Sequence, residues 1–268
     1  MAKRNNEWSK QKQQGYTNEG RGKGEFENYK PWLTVQDCSS TGRTSRILGN
    51  KIKRVHHLFS DLEKQCFYLW EWDQKVIDVR EHYPLLDLYD IVDMDDINTN
   101  AFKDKYTNEP YVLTTTFLVI MRTIDGGIDC FARSVKYKLD LEKSATMEKL
   151  ELERRYWKAK GISWAVVTEE DIPKEKANNI QWFHGVLSEY KNYDVDEEAM
   201  IRLCGEFLDY VNSSDLSIRK LSKDFEVKNS LREGIGTFIF KYILAARVIE
   251  IDMNKSIDLN LTFSEITK

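Results

Sequence analysis

Two β-rich runs joined by a tight turn constrain the fold of this chain more than any other feature. Residues 111–121 (YVLTTTFLVIM) and 128–137 (IDCFARSVKY) are rich in β-branched and aromatic residues, and DGG at 125–127 lies between them. Aspartate and glycine in a short connection are typical of hairpin turns. The sequence therefore predicts an antiparallel hairpin across which Thr116 and Lys136 face each other.

The segments around this hairpin predict an α/β domain. Ser60 followed three residues later by Glu63 is typical of a capped helix start, which places Glu63 in the first turn. Residues 76–80 and 163–168 are β-branched runs, whereas 146–160 carry apolar side chains on one helical stripe. The order helix, strand, hairpin, helix, strand is that of a mixed-sheet α/β domain.

Composition divides the chain into three parts. Residues 1–28 are basic and polar and predict a flexible arm, residues 29–172 form the α/β domain, and residues 173–268 predict a mainly α domain. In that last part, several amphipathic helices precede two short extended pieces at 248–252 and 257–263. Helices followed by a small hairpin outline a winged helix, and helix–helix packing without nucleic-acid contact is the alternative.

Composition also excludes several classes of protein. Of the 268 residues, 41% are hydrophobic and 31% are charged, and the net charge is -4, so we expect a soluble protein of the bacterial cytoplasm. No apolar run is long enough to span a bilayer, and the start of the chain lacks a signal-peptide core. The cysteines lack the C-x-x-C spacing of zinc sites, and we expect buried free thiols. They are Cys38, Cys66, Cys130 and Cys204.

The most basic segment lies before the predicted capped helix. Residues 43–54 contain five lysines and arginines and no acid. Such a stretch is either a solvated loop or strand face, or an edge that contacts phosphates. The candidate phosphate contacts are Arg43, Arg46, Lys53, Arg54 and the following His56. The tryptophans, in contrast, are expected in the core rather than stacked on bases.

One spacing is compatible with metal-dependent phosphodiester cleavage. That chemistry needs carboxylates to hold a divalent cation and a lysine to stabilise developing charge. Ser134 and Lys136 are two residues apart on a predicted strand and so point to one face, while Glu63 and Thr116 are the candidates on the helix and the first strand. From residue types alone, a helix cap and a solvated strand edge explain Glu63 and Lys136 equally well.

A series of motifs in fixed order resembles the TnsA endonuclease family of heteromeric cut-and-paste transposases. The likeness covers roughly residues 20–185. The motifs are PWLTVQ at 31–36, SSTGR at 39–43, RVHHL at 54–58, SDLE at 60–63, EW at 71–72, DVRE at 78–81, PLL at 84–86 and EKLELERRYW at 148–157. The resemblance implies a restriction-endonuclease-like first domain and a winged-helix-like second domain.

The resemblance also implies a function. Family members cut the 5′ strands at transposon ends, a DDE-type transposase cuts and joins the 3′ strands, and an ATP-dependent regulator binds both. The family's catalytic set is a Glu, an Asp, and a Gln two residues before a Lys, with bound Mg²⁺, for which Mn²⁺ can substitute. Matching motifs place Glu and Lys on Glu63 and Lys136, but the Asp falls on Thr116 and the Gln on Ser134.

These two departures weaken the expected metal site. A Thr hydroxyl is a neutral and weaker ligand for Mg²⁺ than a carboxylate, so Glu63 is the main candidate ligand and Thr116 a poor one. The chain is then a poor nuclease, a scaffold that binds DNA and recruits the regulator without cutting, or a nuclease that uses another acid. Asp129, Glu81 and Glu148 are the acids considered as substitutes, and Asp129 has the wrong strand parity. A winged-helix transcription factor is a third reading, which the long α/β domain disfavours.

Overall fold

The computed structural model describes residues 7–37, 42–193 and 195–267, and the chain divides into two compact units, Met1–Ile172 and Pro173–Lys268. Cys38 lies outside the described residues. In chain order the first unit contains α1 (Lys10–Asn18), β1 (Ser45–Leu48), β2 (Val55–Leu58), α2 (Asp61–Trp72), β3 (Val76–Pro84), α3 (Leu88–Ile91), β4 (Thr114–Arg122), β5 (Ile128–Val135), α4 (Ser144–Ala159) and β6 (Ser163–Val167).

The mixed sheet of the first unit has the strand order β3-β4-β5-β6, with the last pair parallel and the others antiparallel. The predicted hairpin is therefore confirmed, although β4 begins at Thr114 rather than at residue 111 and β5 ends at Val135. Helix α4 connects the parallel strands and packs on the sheet through Leu152, Tyr156 and Trp157. A separate two-stranded ribbon, β1–β2, precedes α2.

The prediction of a flexible arm is wrong for residues 7–28. Trp8 and Tyr16 are buried against Trp32, with ring centroids 5.4 to 6.3 Å apart. The Trp8 backbone N–H donates to the Asp104 carboxylate at 2.9 Å, and its indole N–H donates to the Pro110 carbonyl at 2.9 Å. Aromatic burial against distant segments thus outweighs the polar composition.

The second unit is helical. It contains α5 (Lys174–Phe183), α6 (Val186–Glu189), α7 (Glu197–Asn212), α8 (Ile218–Lys228), α9 (Ile235–Ala245) and α10 (Phe263–Ile266). The predicted strands at 248–252 and 257–263 are wrong, because the described residues of this unit form no β-strand. Instead the Asn179 side chain donates to the carbonyls of Met253 and Lys255, which ties this segment to α5.

Helix α9 is buried around most of its circumference, with eight of its 11 residues in the core. A helix that reads DNA must expose one face to a groove, so α9 is a packing helix. None of the described helices in either unit is both long and apolar enough to cross a membrane.

Candidate active site

The site residues meet at one end of the mixed sheet. Strand β3 ends there and β4 begins there, since Tyr83 pairs with Thr115 and Pro84 with Thr114. Strands β5 and β6 run parallel and both end there, with Val135 paired with Val167. Helix α2 contributes Glu63 to the site and helix α4 contributes two further charged residues.

Glu63 lies in the first turn of α2, as the capping pattern predicts. Ser60 Oγ accepts the Glu63 backbone N–H at 3.1 Å, and Glu63 Oε2 accepts the Phe59 N–H at 2.7 Å. The residue is only 7% exposed. A buried carboxylate at a helix N-terminus is stabilised by these donors and by the helix dipole, so Glu63 combines a capping role with a negative charge at the site.

His82 lies beside Glu63 in an unusual conformation. Its φ of 49° is in the left-handed region, and its ring stacks on Phe59 with centroids 3.9 Å apart. His82 Nε2 is 2.9 Å from the His57 carbonyl oxygen and 3.8 Å from Glu63 Oε2. Burial lowers the pKa of His82, although the charges of Glu63 and Glu81 act in the opposite direction. The sequence analysis did not identify this residue.

Glu153 is the second carboxylate of the site, and the sequence analysis missed it as well. It lies on α4 and is 1% exposed. Its Oε2 accepts the Thr115 hydroxyl at 2.8 Å and also the Ser134 hydroxyl, and its Oε1 is 3.6 Å from Lys149 Nζ. A signal was present, because Glu153 follows Leu150 by three residues and precedes Trp157 by four, which places a charge on the apolar stripe.

Lys136 lies just beyond β5, where its backbone N–H donates to the Val167 carbonyl at 3.0 Å. Burial and the neighbouring Lys149 lower the pKa of Lys136, whereas Glu153 and Glu63 act in the opposite direction. The ammonium group is therefore in the field of both carboxylates.

Ser134 and Thr116 are both buried here. Ser134 donates to Glu153 and accepts the Trp164 indole N–H at 3.0 Å. Thr116 Oγ1 accepts the Val135 backbone N–H at 3.0 Å. Thr116 does not pair with Lys136 as predicted, because the turn closes with Arg122 opposite Ile128 and Phe117 then pairs with Arg133.

The acids considered as replacements for the missing Asp are placed elsewhere. Asp129 pairs with Met121 at the opposite end of the hairpin. Glu81 is fully buried and is bound by Arg54 and His56. Glu148 accepts from Ser144 at 3.3 Å within α4. Glu153 is thus the second acid that the structure brings to Glu63 and Lys136.

The predicted phosphate contacts separate into two groups. Arg54 and His56 are buried at 8% and 0% exposure and bind Glu81, so the prediction that they contact phosphates is wrong. Arg43, Arg46 and Lys53 are exposed. A basic stretch in sequence does not distinguish these groups, because the partner of Arg54 lies 27 residues away.

The donor set fits a divalent cation only in part. The carboxylates of Glu63 and Glu153 are suitable oxygen ligands. Over the described ranges, however, no three His, Cys, Asp or Glu side chains are grouped so that they could hold a metal ion. The hydroxyl at Thr116 is neutral and already bonded, so it does not replace the carboxylate.

Comparison with known proteins defines the class of this chain. Residues 73–169 match the TnsA-like endonuclease N-terminal family model, and residues 171–253 match the TnsA endonuclease C-terminal model. The chain is also 35% identical over 262 residues to the transposon Tn7 transposition protein TnsA of Escherichia coli, which covers 97% of this chain and 92% of that protein. The chain belongs to the TnsA endonuclease family.

Proposed function

We propose that this chain is the endonuclease subunit of a DNA transposition machinery, with a restriction-endonuclease-like active site in its first unit. The observation that carries the proposal is the convergence of Glu63, Glu153 and Lys136 at one end of the sheet. Its substrate is DNA at the transposon ends, where it cuts the 5′ strand. A DDE-type transposase acts on the other strand, and an ATP-dependent regulator joins both. Family membership supports these partners.

Each of the three residues has a role in this chemistry. The Lys136 ammonium stabilises the negative charge that develops on the phosphate. Glu63 and Glu153 would hold Mg²⁺ or Mn²⁺, and the Ser134 and Thr115 hydroxyls fix the orientation of the Glu153 carboxylate. The cation, when bound, would polarise the phosphate and lower the pKa of the attacking water.

Thr116 supports a second candidate function. Its hydroxyl is neutral and accepts the Val135 N–H, so one anionic ligand is missing. The chain would then be a scaffold that binds transposon ends and recruits the regulator without cutting. The two candidates make opposite predictions about strand cleavage.

A nicking assay decides between them. The full chain is incubated with the partner transposase and end DNA labelled on the 5′ strand, in Mg²⁺ or Mn²⁺. We expect cutting that falls about 100-fold or more in Lys136→Met and in Glu153→Gln, the order of effect of removing one electrostatic stabiliser. Glu148→Gln, on the same helix, is the matched control. Cutting no greater in the unmodified chain than in Lys136→Met would favour the scaffold.

A second variant tests whether Thr116 limits cutting. In Thr116→Asp, a carboxylate oxygen can still accept the Val135 N–H while the second oxygen adds a ligand for the cation. We expect faster cutting at low Mg²⁺ concentration. Thr116→Val, of similar shape but without the hydroxyl, is the control for side-chain replacement. Equal rates in Thr116→Asp and the unmodified chain would show that the hydroxyl is not the defect.

A further inference from the structure

The β1–β2 ribbon has one buried face and one exposed face. The inner face carries His56 and Leu58, both 0% exposed. On the outer face Leu48 lies directly opposite Val55, and these side chains are 48% and 46% exposed. Cross-strand neighbours of this kind lie in contact, so the pair forms a small apolar ridge. The outer residue next along β1 is Arg46, which is also exposed.

The ribbon is held rigidly from its inner side. Arg54 donates to both Glu81 carboxylate oxygens at 2.7 Å, and the His57 backbone N–H donates to Glu81 at 3.1 Å. In the connection between the strands, the Asn50 N–H donates to Glu71 at 2.7 Å, and Lys51 Nζ donates to the Val76 carbonyl at 2.6 Å. A surface that is fixed before binding loses little conformational entropy on contact with a ligand.

The exposed charge on the ribbon is of one sign. Residues 43–54 contain no acid. Arg43, Arg46 and Lys53 are exposed and form no ion pair with any part of the chain that the structure describes. Three free cations around an apolar ridge complement a surface that carries phosphates at its edges and apolar groups between them.

We propose that the outer face of the β1–β2 ribbon enters the major groove of duplex DNA. The major groove is wide enough for a two-stranded β-ribbon and exposes the thymine methyl groups. Arg43, Arg46 and Lys53 contact the phosphates on either side, and Leu48 and Val55 contact the base edges. The inference rests on the proposed function in one respect, which is that DNA is the substrate.

The position of the ribbon gives this contact a purpose. Strand β2 ends at Leu58, and α2, which carries Glu63, begins at Asp61. Glu81, which holds the ribbon, is adjacent in sequence to His82, and His82 lies beside Glu63. A duplex bound to the ribbon is therefore held next to the end of the sheet at which Glu63 and Lys136 lie.

The experiment measures binding of a labelled duplex to the full chain in EDTA, where metal-dependent cutting cannot occur. Arg46→Ala/Lys53→Ala removes two phosphate contacts and should lower the slope of log K against log salt by about 1.8. Lys105→Ala/Lys158→Ala removes the same charge from other exposed positions of the first unit and is the control, with an unchanged slope. Equal slopes for the two double variants would overturn the proposal.

The apolar ridge is tested separately. Leu48→Ser/Val55→Ser should weaken binding by about tenfold at an unchanged salt slope, because apolar contact area is lost and charge is not. Uracil in place of thymine removes the methyl group from the major groove and should weaken binding to the unmodified chain but not to this variant. Insensitivity of the unmodified chain to uracil would overturn the major-groove assignment. Normal binding without cutting in the nicking assay would overturn the proposed function alone.

Discussion

The buried ion pair between Arg54 and Glu81 allows a sharp test of how the ribbon is held. Arg54 donates two hydrogen bonds of 2.7 Å to a Glu81 carboxylate that is 0% exposed. Replacing Arg54 with Met keeps most of the side-chain volume but leaves a buried carboxylate without its cation. Breaking a buried pair in this way costs about 3–5 kcal/mol. We therefore expect Arg54→Met to lower the free energy of unfolding at pH 7 by about that amount.

The pH dependence of this loss follows from the pKa of Glu81. Burial alone would raise this pKa, but the interactions with His56 and Arg54 outweigh burial and hold it well below its usual range. A depressed folded-state pKa contributes stability above the unfolded value of about 4.3 and loses it as the pH falls. In Arg54→Met the carboxyl takes up a proton more readily. The difference between the two proteins should therefore shrink as the pH falls below about 4.

The assay is equilibrium unfolding in urea, followed by circular dichroism at several pH values. Arg154→Met is the matched control, because Arg154 also makes two bonds of 2.7 Å to one carboxylate, that of Glu151, but its side chain is 50% exposed. An exposed pair contributes about 0–1 kcal/mol. The reasoning is refuted if Arg54→Met costs no more than Arg154→Met, or if its cost does not change with pH.

Three further predictions concern packing. Trp8→Ala should lower the urea midpoint, because loss of a buried tryptophan costs about 3–5 kcal/mol, and an unchanged midpoint would mean that the start of the chain does not contribute to the fold. Gly236→Ala should lower the melting temperature, since its Cβ would lie 2.3 Å from the Ser222 carbonyl oxygen, whereas Gly205→Ala, with nothing within 4 Å, should not. Burial raises the pKa of Cys66 to about 12, so mass spectrometry should show its thiol unmodified by iodoacetamide at pH 8 until the chain unfolds.

Local signals predicted those parts of the fold that local interactions determine. Ser60 and Glu63 mark the start of α2 because a cap is made between residues three apart. The β4–β5 hairpin follows from its turn. The packing of Trp8 on Tyr16 and Trp32 could not be predicted in this way, because aromatic side chains scattered through a polar segment do not reveal their partners. The same holds for the 248–263 segment, whose β-branched residues indicated strands although Asn179 binds its backbone.

The site shows the same division. Glu63 and Lys136 were predicted by motif matching, and the structure brings both to one end of the sheet. Glu153 was missed because the search for a replacement acid considered strand parity and exposed positions, whereas this acid lies on the buried stripe of α4. The register error at Thr116 had a simple cause, since a two-residue change in turn length moves every later pair.

The charges explain how the site tolerates Thr116. Glu63 and Glu153 supply two negative charges, and Lys136 and Lys149 lie close enough to influence them or be influenced by them. With a neutral residue at 116 these four groups balance without a bound cation, so the end of the sheet folds without metal. An Asp at 116 would leave one buried negative charge uncompensated, which favours a cation. Thr116 therefore separates the stability of the fold from metal binding, and cation affinity then depends on the charge that the DNA phosphate brings to the site.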